Sequence, residues 1–290
     1  MTTQIDPHVL HTLLTRRSVK VVDASLEKQT VRVLDASWAL DGTDMHALFL
    51  GDHIPGAQFF DIEAISDHST GLPHMAPSPK HFAAAVGALG IGAGDEVVIY
   101  DRQGLFSAAR AWWTFKLMGH ARVQVLRGGL PAWKAAGYQV TAEVGTAVAT
   151  TYVPDFQPQN VISIDELRQH IELAHDIILD ARSRARFEGT APEPRAGLRS
   201  GHMPGSRNLP FTELISNGAL KARPDLEAIF AVYGITPDRT VITTCGSGVT
   251  AAIISMALEE IGHTQALLYD GSWSQWGQDG NGAPVVTGAV

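Results

Sequence analysis

Short runs of aliphatic and β-branched residues alternate along this chain with stretches whose apolar residues recur at helical spacing. VRVLDAS (31–37), the second half of GIGAGDEVVIYD (90–101), IILDARS (177–183) and VITT (241–244) read as strands, the last of them buried. After VITT the period changes, and Val249, Ala252, Ile253, Met256, Ala257 and Ile261 share one face of a helix. A cap followed by a proline, Asp6-Pro7, opens a first helix that runs to about Arg17, and Ser163 with Glu166 three residues on forms a capping box for another. Strands alternating with helices predict an α/β fold built on a mainly parallel sheet flanked by helices.

The whole pattern is written twice. VRVLDAS answers IILDARS, with Asp35 and Asp180 lying 145 residues apart. GDHIPGAQFFDIEAIS (51–66) answers SGHMPGSRNLPFTELIS (200–216), with His53 and His202 149 apart. GIGAGDEVVIYD answers GITPDRTVITTC (234–245), which sets Asp101 against Cys245 at 144, and LRGGLPAWKAAG (126–137) answers LYDGSWSQWGQDG (268–280), Trp133 against Trp276 at 143. Matches at so constant an offset predict two copies of one unit, residues 1–140 and 161–290. The intervening 141–160 lacks helical period, carries Pro154 and Pro158, and reads as an extended linker laid over the surface.

Composition narrows the function. A chain of 290 residues has room for two cores of ordinary size, and a net charge of −8 argues against general affinity for nucleic acid or anionic membranes. No stretch approaches the roughly 20 apolar residues of a membrane span, and MTTQIDPHVLHTLLTRR lacks the apolar core of a signal peptide, so a cytoplasmic protein is expected. There is one cysteine, with no metal-ligand spacing around it. GIGAG (90–94) precedes its strand and fails the dinucleotide pattern.

That cysteine, in VITT-CGSGVT-AAIISMALEEIG (241–262), falls in a tight loop between a strand and a helix. Gly246 and Gly248 allow the loop backbone to turn successive N–H groups toward one point, at the positive end of a helix dipole. Such a setting favours the thiolate, the form in which cysteine attacks. Upstream, DARSRARFEGTAPEPRAGLRSGHMPG (180–205) gathers Arg182, Arg184, Arg186, Arg195 and Arg199. A planar guanidinium suits a carboxylate substrate, whereas a lone surface arginine contributes little. Arg184 and Arg199 are read as solvated charges, and Arg182 as a structural partner of Asp180 or of a loop carbonyl. His53 and His202 belong to structural turns, and the tryptophans to packing.

On these motifs, with FLGDHIPGAQFF (49–60) and ALLYDGSWSQW (266–276), each copy resembles a rhodanese domain, and the whole chain resembles the tandem-domain sulfurtransferases. CGSGVT resembles the loop of the mercaptopyruvate-using members rather than the CRKGVT of the thiosulfate-using ones. The resemblance implies a persulfide carried on Cys245 and cradled by the backbone of Gly246, Gly248, Val249 and Thr250. Arg186 and Arg195 would clamp the substrate, Ser247 would donate a hydrogen bond or share a proton relay, and His74 would stand near the site with Glu63 as its orienting carboxylate. It implies no cofactor, a small-molecule sulfur donor, and thioredoxin, a small thiol or cyanide as acceptor. Asp101 cannot hold a sulfane sulfur, so the first copy is expected to be catalytically silent. Gln275 and Glu63 depart from the family's usual Glu and Asp. The rivals are a thiosulfate sulfurtransferase, a phosphatase of the same fold, which Ala251 argues against because a longer C-x5-R loop is needed, and a non-catalytic sulfur-binding module.

Overall fold

A computed structural model describes residues 2–16, 30–174 and 176–289. The chain divides into two compact units. The first comprises Met1–Ile65, Pro77–Gln157 and Asn217–Ala219, and the second Ser66–Ala76, Pro158–Ser216 and Leu220–Val290.

In the first unit the strands are β1 (Gln4–Ile5), β2 (Val31–Asp35), β3 (Gln58–Phe59), β4 (Glu96–Tyr100) and β5 (Val123–Leu126). They form a sheet of order β1-β5-β4-β2-β3 in which every pairing is parallel. Helices α1 (Pro7–Arg16), α2 (Met45–Gly51), α3 (Ile62–Ile65), α4 (Pro79–Ala88), α5 (Ala108–Leu117) and α6 (Gly129–Ala135) connect them. The end expected for α1 at Arg17 lies outside the described residues. Central strand β4 is buried along Val97–Tyr100, as expected of a parallel strand covered on both faces. Its core joins Val33, Val98 and Tyr100 to Leu10, Phe49, Leu130 and Trp133.

The second unit holds β6 (Val161–Ile162), β7 (Ile177–Asp180), β8 (Ser206–Asn208), the two-residue strands β9 (Ile215–Ser216) and β10 (whose Leu220 belongs here, within Ala219–Leu220), β11 (Val241–Thr244) and β12 (Ala266–Tyr269). Its helices are α7 (Ile164–Leu173), α8 (Arg184–Phe187), α9 (Arg223–Val232), α10 (Ala251–Glu260) and α11 (Ser272–Trp276). Its main sheet runs β6-β12-β11-β7-β8, again parallel throughout, so the two sheets share one topology. The predicted capping box is present at the start of α7, where Ser163 and Glu166 satisfy each other's backbone N–H. Helix α10 is shorter than its apolar stripe: Val249 precedes it and Ile261 caps it.

Repetition reaches single hydrogen bonds. Asp35 Oδ1 accepts from the Ser37 N–H at 3.0 Å, and Asp180 Oδ1 from the Arg182 N–H at 2.9 Å. His53 Nδ1 meets the Phe49 carbonyl at 2.7 Å, and His202 Nδ1 that of Phe187 at 2.8 Å, each ring stacked on the same phenylalanine. Trp133 donates to the Gln139 carbonyl and Trp276 to that of Pro284. The two histidines and these tryptophans therefore hold turns and cores, as the sequence indicates.

Residues 142–157 form no helix or strand. They belong to the first unit and are held there by backbone bonds from Thr150 to Gly87, Asp155 to Met118 and Gln157 to Leu117, with Tyr152 buried. Gly119 marks how closely the segment approaches: its φ is 74°, and a Cβ there would stand 2.2 Å from the Asp155 carbonyl oxygen. One arginine differs from expectation. Arg199 is no solvated charge, since its guanidinium donates to the carbonyls of Trp276, Gly277 and Ala283 and so ties down the end of the chain. Among the described residues no helix is long and apolar enough to cross a membrane.

Candidate active site

In the second unit the chain leaves β7 toward β8 on one side and leaves β11 toward β12 on the other. The carboxyl ends of two adjacent strands whose connections diverge form a crevice, the usual ligand site of an open parallel sheet. Cys245 follows Thr244, the last residue of β11, and Arg182 stands two residues past the end of β7. The site thus falls where topology alone would put one.

Cys245 is buried, at 2% exposure. Its N–H donates to Ser272 Oγ at 3.3 Å, and its carbonyl accepts from the Trp273 N–H at 2.9 Å. The Gly246 carbonyl accepts both the N–H and the hydroxyl of Ser274, at 2.8 and 2.7 Å. In a trans peptide the carbonyl and the following N–H point in opposite directions, and no described peptide is cis. With the carbonyls of 245 and 246 fixed on segment 272–274, the N–H groups of Gly246 and Ser247 are turned the other way.

The two loop glycines have different reasons. Gly248 has φ 80°, the left-handed region that favours glycine. Gly246, contrary to expectation, has no such backbone; a Cβ there would come 3.0 Å from Arg186 Nη2, so what it provides is room for that guanidinium. Val249 is buried, and Thr250 takes the position before α10 with helical backbone and no side-chain cap.

Arg186, on α8, is held by Glu193, a residue that the sequence motifs do not single out. Glu193 Oε2 accepts from Arg186 Nη2 at 2.5 Å, and Oε1 accepts from Arg186 Nε at 3.2 Å and Arg182 Nη1 at 2.8 Å. Arg182 also grips the Asp180 carboxylate, donates to the Gly201 carbonyl, and lies 4.2 Å over the Trp273 ring. Burial by itself would lower the Arg182 pKa, but the Asp180 and Glu193 carboxylates more than reverse this and raise it. The expected Asp180 partnership of Arg182 is present. A two-carboxylate, two-arginine chain therefore runs from the end of β7 to the rim of the cysteine loop, and Arg186, 22% exposed, is its outer member. Arg195, two residues beyond Glu193, is half-buried. Sequence pattern gives no signal for Glu193, because its contacts join two turns of one loop and follow no period.

The repeat assigns His74 to the first copy, yet residues 66–76 belong to the second compact unit. The ring is fully buried, its φ is 59°, and its Nδ1 lies 3.0 Å from Ser247 Oγ. Cys245, Gly246, Ser247, Gly248, Arg186 and His74 are thus brought together. Glu63 lies on α3 in the first unit, where its carboxylate accepts from Trp38 Nε1 at 2.9 Å. Gln275 does with an amide what a carboxylate could also do: its Oε1 accepts the Tyr269 hydroxyl at 2.9 Å.

The corresponding loop of the first unit is closed on itself. Asp101 Oδ1 accepts the N–H of Gln103 at 2.9 Å, and Oδ2 accepts those of Phe106 at 2.7 Å and Ala108 at 2.9 Å. A loop of this design gathers its N–H groups around one anionic atom group, and here that group is the chain's own carboxylate.

Two parallel sheets of one topology, each with a loop of this kind at the end of its central strand, define a family, and the chain belongs to it: the rhodanese-like domain profile matches residues 13–136 and 163–279. The 3-mercaptopyruvate sulfurtransferase of Escherichia coli K12 is 40% identical over 87% of this chain and 91% of its own length. Thiosulfate/3-mercaptopyruvate sulfurtransferase 1, mitochondrial, of Arabidopsis thaliana is 41% identical over 89% of this chain and 75% of its own. Among solved structures, SseA from Escherichia coli superposes with a TM-score of 0.80 at 36% identity, covering 94% of this chain and 99% of the other.

Proposed function

We propose that the chain is a sulfurtransferase that takes sulfur from 3-mercaptopyruvate onto Cys245 and passes it to a thiol or to cyanide. The observation that carries this reading is the grouping of one thiol, one oriented guanidinium and one serine–histidine pair at the carboxyl end of β11. Relatives bearing that activity in their names span most of the chain.

In the first half-reaction the Cys245 thiolate attacks the sulfur of mercaptopyruvate. A sulfur–sulfur bond forms, the carbon–sulfur bond breaks, and its electron pair moves into the ketone to give the enolate of pyruvate. Arg186, with Arg195, binds the carboxylate and ketone and stabilises the charge that builds on the enolate oxygen. Ser247 and His74 move the proton: the hydrogen lost by the donor thiol is returned through the hydroxyl and the ring to the enolate carbon, and pyruvate leaves. The outer sulfur stays on Cys245 as a persulfide, cradled by the N–H groups that the loop turns away from segment 272–274. A second thiolate then takes that sulfur and restores Cys245.

Thiosulfate is the second donor to be weighed, because the name of the Arabidopsis relative includes it and Arg186 supplies a cation beside Gly246. Arg186 and Arg195 suit the carboxylate and ketone of mercaptopyruvate, whereas the CGSGVT loop itself has no cationic side chain to meet a dianion, so the expected order is mercaptopyruvate over thiosulfate. Side-by-side kcat/KM values test this, and a higher value for thiosulfate would reverse the assignment. The proposed setting is the cytoplasm, where thiols are kept reduced and can act as acceptors; cell fractionation tests it.

A further inference from the structure

We infer that Asp270 is a positioning residue of the sulfur-transfer site, acting through His74. The inference rests on the reading of Ser247 and His74 as the proton path.

His74 is carried by a short closed segment. The Asp67 N–H donates to the Met75 carbonyl at 2.9 Å and closes the neck, and the Asp67 carboxylate accepts the N–H and hydroxyl of Ser69, each at 2.9 Å. At the tip Gly71 turns with φ 69°. His74 itself has φ 59°, a backbone that a bulky residue adopts only where its surroundings impose it. An anchor lies two residues further along the chain. The N–H of Ala76 donates to Asp270 Oδ2 at 2.6 Å, a short bond to a carboxylate that is itself only 4% exposed.

Asp270 directly follows β12, and two residues on Ser272 Oγ receives the Cys245 N–H. One strand end therefore holds both partners of the reaction: Asp270 sets the segment that brings His74 to Ser247, and Ser272 and Ser274 set the loop that carries Cys245 and Gly246. With the Ala76 bond removed, the neck at Asp67 remains, but the carboxyl-terminal end of the segment loses its tie to β12. His74 would then lose its alignment with Ser247, whereas Cys245 and Arg186 would keep theirs.

Asp270→Ala should lower kcat for mercaptopyruvate by roughly tenfold, the order expected from losing one charge-assisted hydrogen bond, with KM and the rate of Cys245 alkylation by iodoacetamide changed less than about twofold. Asp270→Asn, whose amide oxygen still accepts from Ala76, should recover most of the loss and guards against a misfolded alanine variant. The deciding measurement is a cycle with His74→Ala: if Asp270 acts through His74, then Asp270→Ala costs nothing further in that background. Additive losses, or an Asp270→Ala enzyme as fast as the parent while His74→Ala is slow, would overturn the inference and leave the reading of His74 standing. A His74→Ala enzyme with unchanged kcat would remove the proton path and the inference with it.

Discussion

The loops after β4 and β11 are built alike and differ in what occupies them. Each follows the buried central strand of a five-stranded parallel sheet, and each has its first carbonyl pinned by an N–H from the start of the last helix of its unit, Leu130 in one and Trp273 in the other. In the first, the Asp101 carboxylate accepts three backbone N–H groups of its own loop, so the anion site is permanently filled. In the second, a thiol stands at that position, with Ser247, His74 and Arg186 around it. The loop is thus an anion cradle before it is a catalyst, and chemistry enters when its occupant can exchange a sulfur atom.

The sharpest break in the comparison is Cys245→Ser. A hydroxyl is not ionised and cannot hold a persulfide, so turnover should vanish while the thermal midpoint stays near that of the parent; residual turnover would place the chemistry elsewhere. Next comes Arg186→Lys, which keeps the charge but loses the fork held by Glu193. A loss of roughly ten- to a hundredfold in kcat/KM for mercaptopyruvate is expected, and unchanged kinetics would return Arg186 to the rank of a surface charge. Asp101→Ala probes the filled loop. One buried and two part-buried N–H groups lose their acceptor, so calorimetry should show about 1 to 3 kcal/mol less stability, with kcat per folded molecule nearly unchanged. A kinetic loss like that of Cys245→Ser would give the first unit a part in the chemistry.

The smallest effect is on pH. Burial lowers the pKa of His120 in the first unit and of His202 and His263 in the second below the ordinary 6.5. All three are therefore neutral in the folded chain at pH values where the unfolded chain is already taking up protons. Their contribution is present above pH 6.5 and declines as the pH falls below it. The thermal midpoint should accordingly drop between about pH 7 and pH 5.5, and a flat midpoint would contradict it.

Much of this is legible in the sequence because burial is periodic. Strands β2, β4, β7 and β11 and the start of α7 stand where the apolar pattern and the capping box put them, and the doubled motifs foretell two sheets of one topology. The cysteine loop is legible because glycine between a strand and a helix has few other uses, although at Gly246 the pattern points to backbone freedom where the structure shows close approach of Arg186 instead. Contacts between loops carry no period and are harder to read. Glu193 escapes notice because its partners, Arg182 and Arg186, lie across a turn. Arg199 looks solvated in the sequence because the carbonyls that it binds are 77 to 84 residues away. That His74 belongs with the second unit cannot be read from its place in the first copy of the repeat.

Mass spectrometry can show whether Cys245 carries the transferred sulfur. The protein is incubated with 3-mercaptopyruvate without an acceptor, weighed intact, and digested to locate the added mass. A gain of one sulfur atom is expected on the peptide containing Cys245, lost when cyanide is added and absent from Cys245→Ser. Release of pyruvate with no added sulfur, or the same gain in Cys245→Ser, would contradict it.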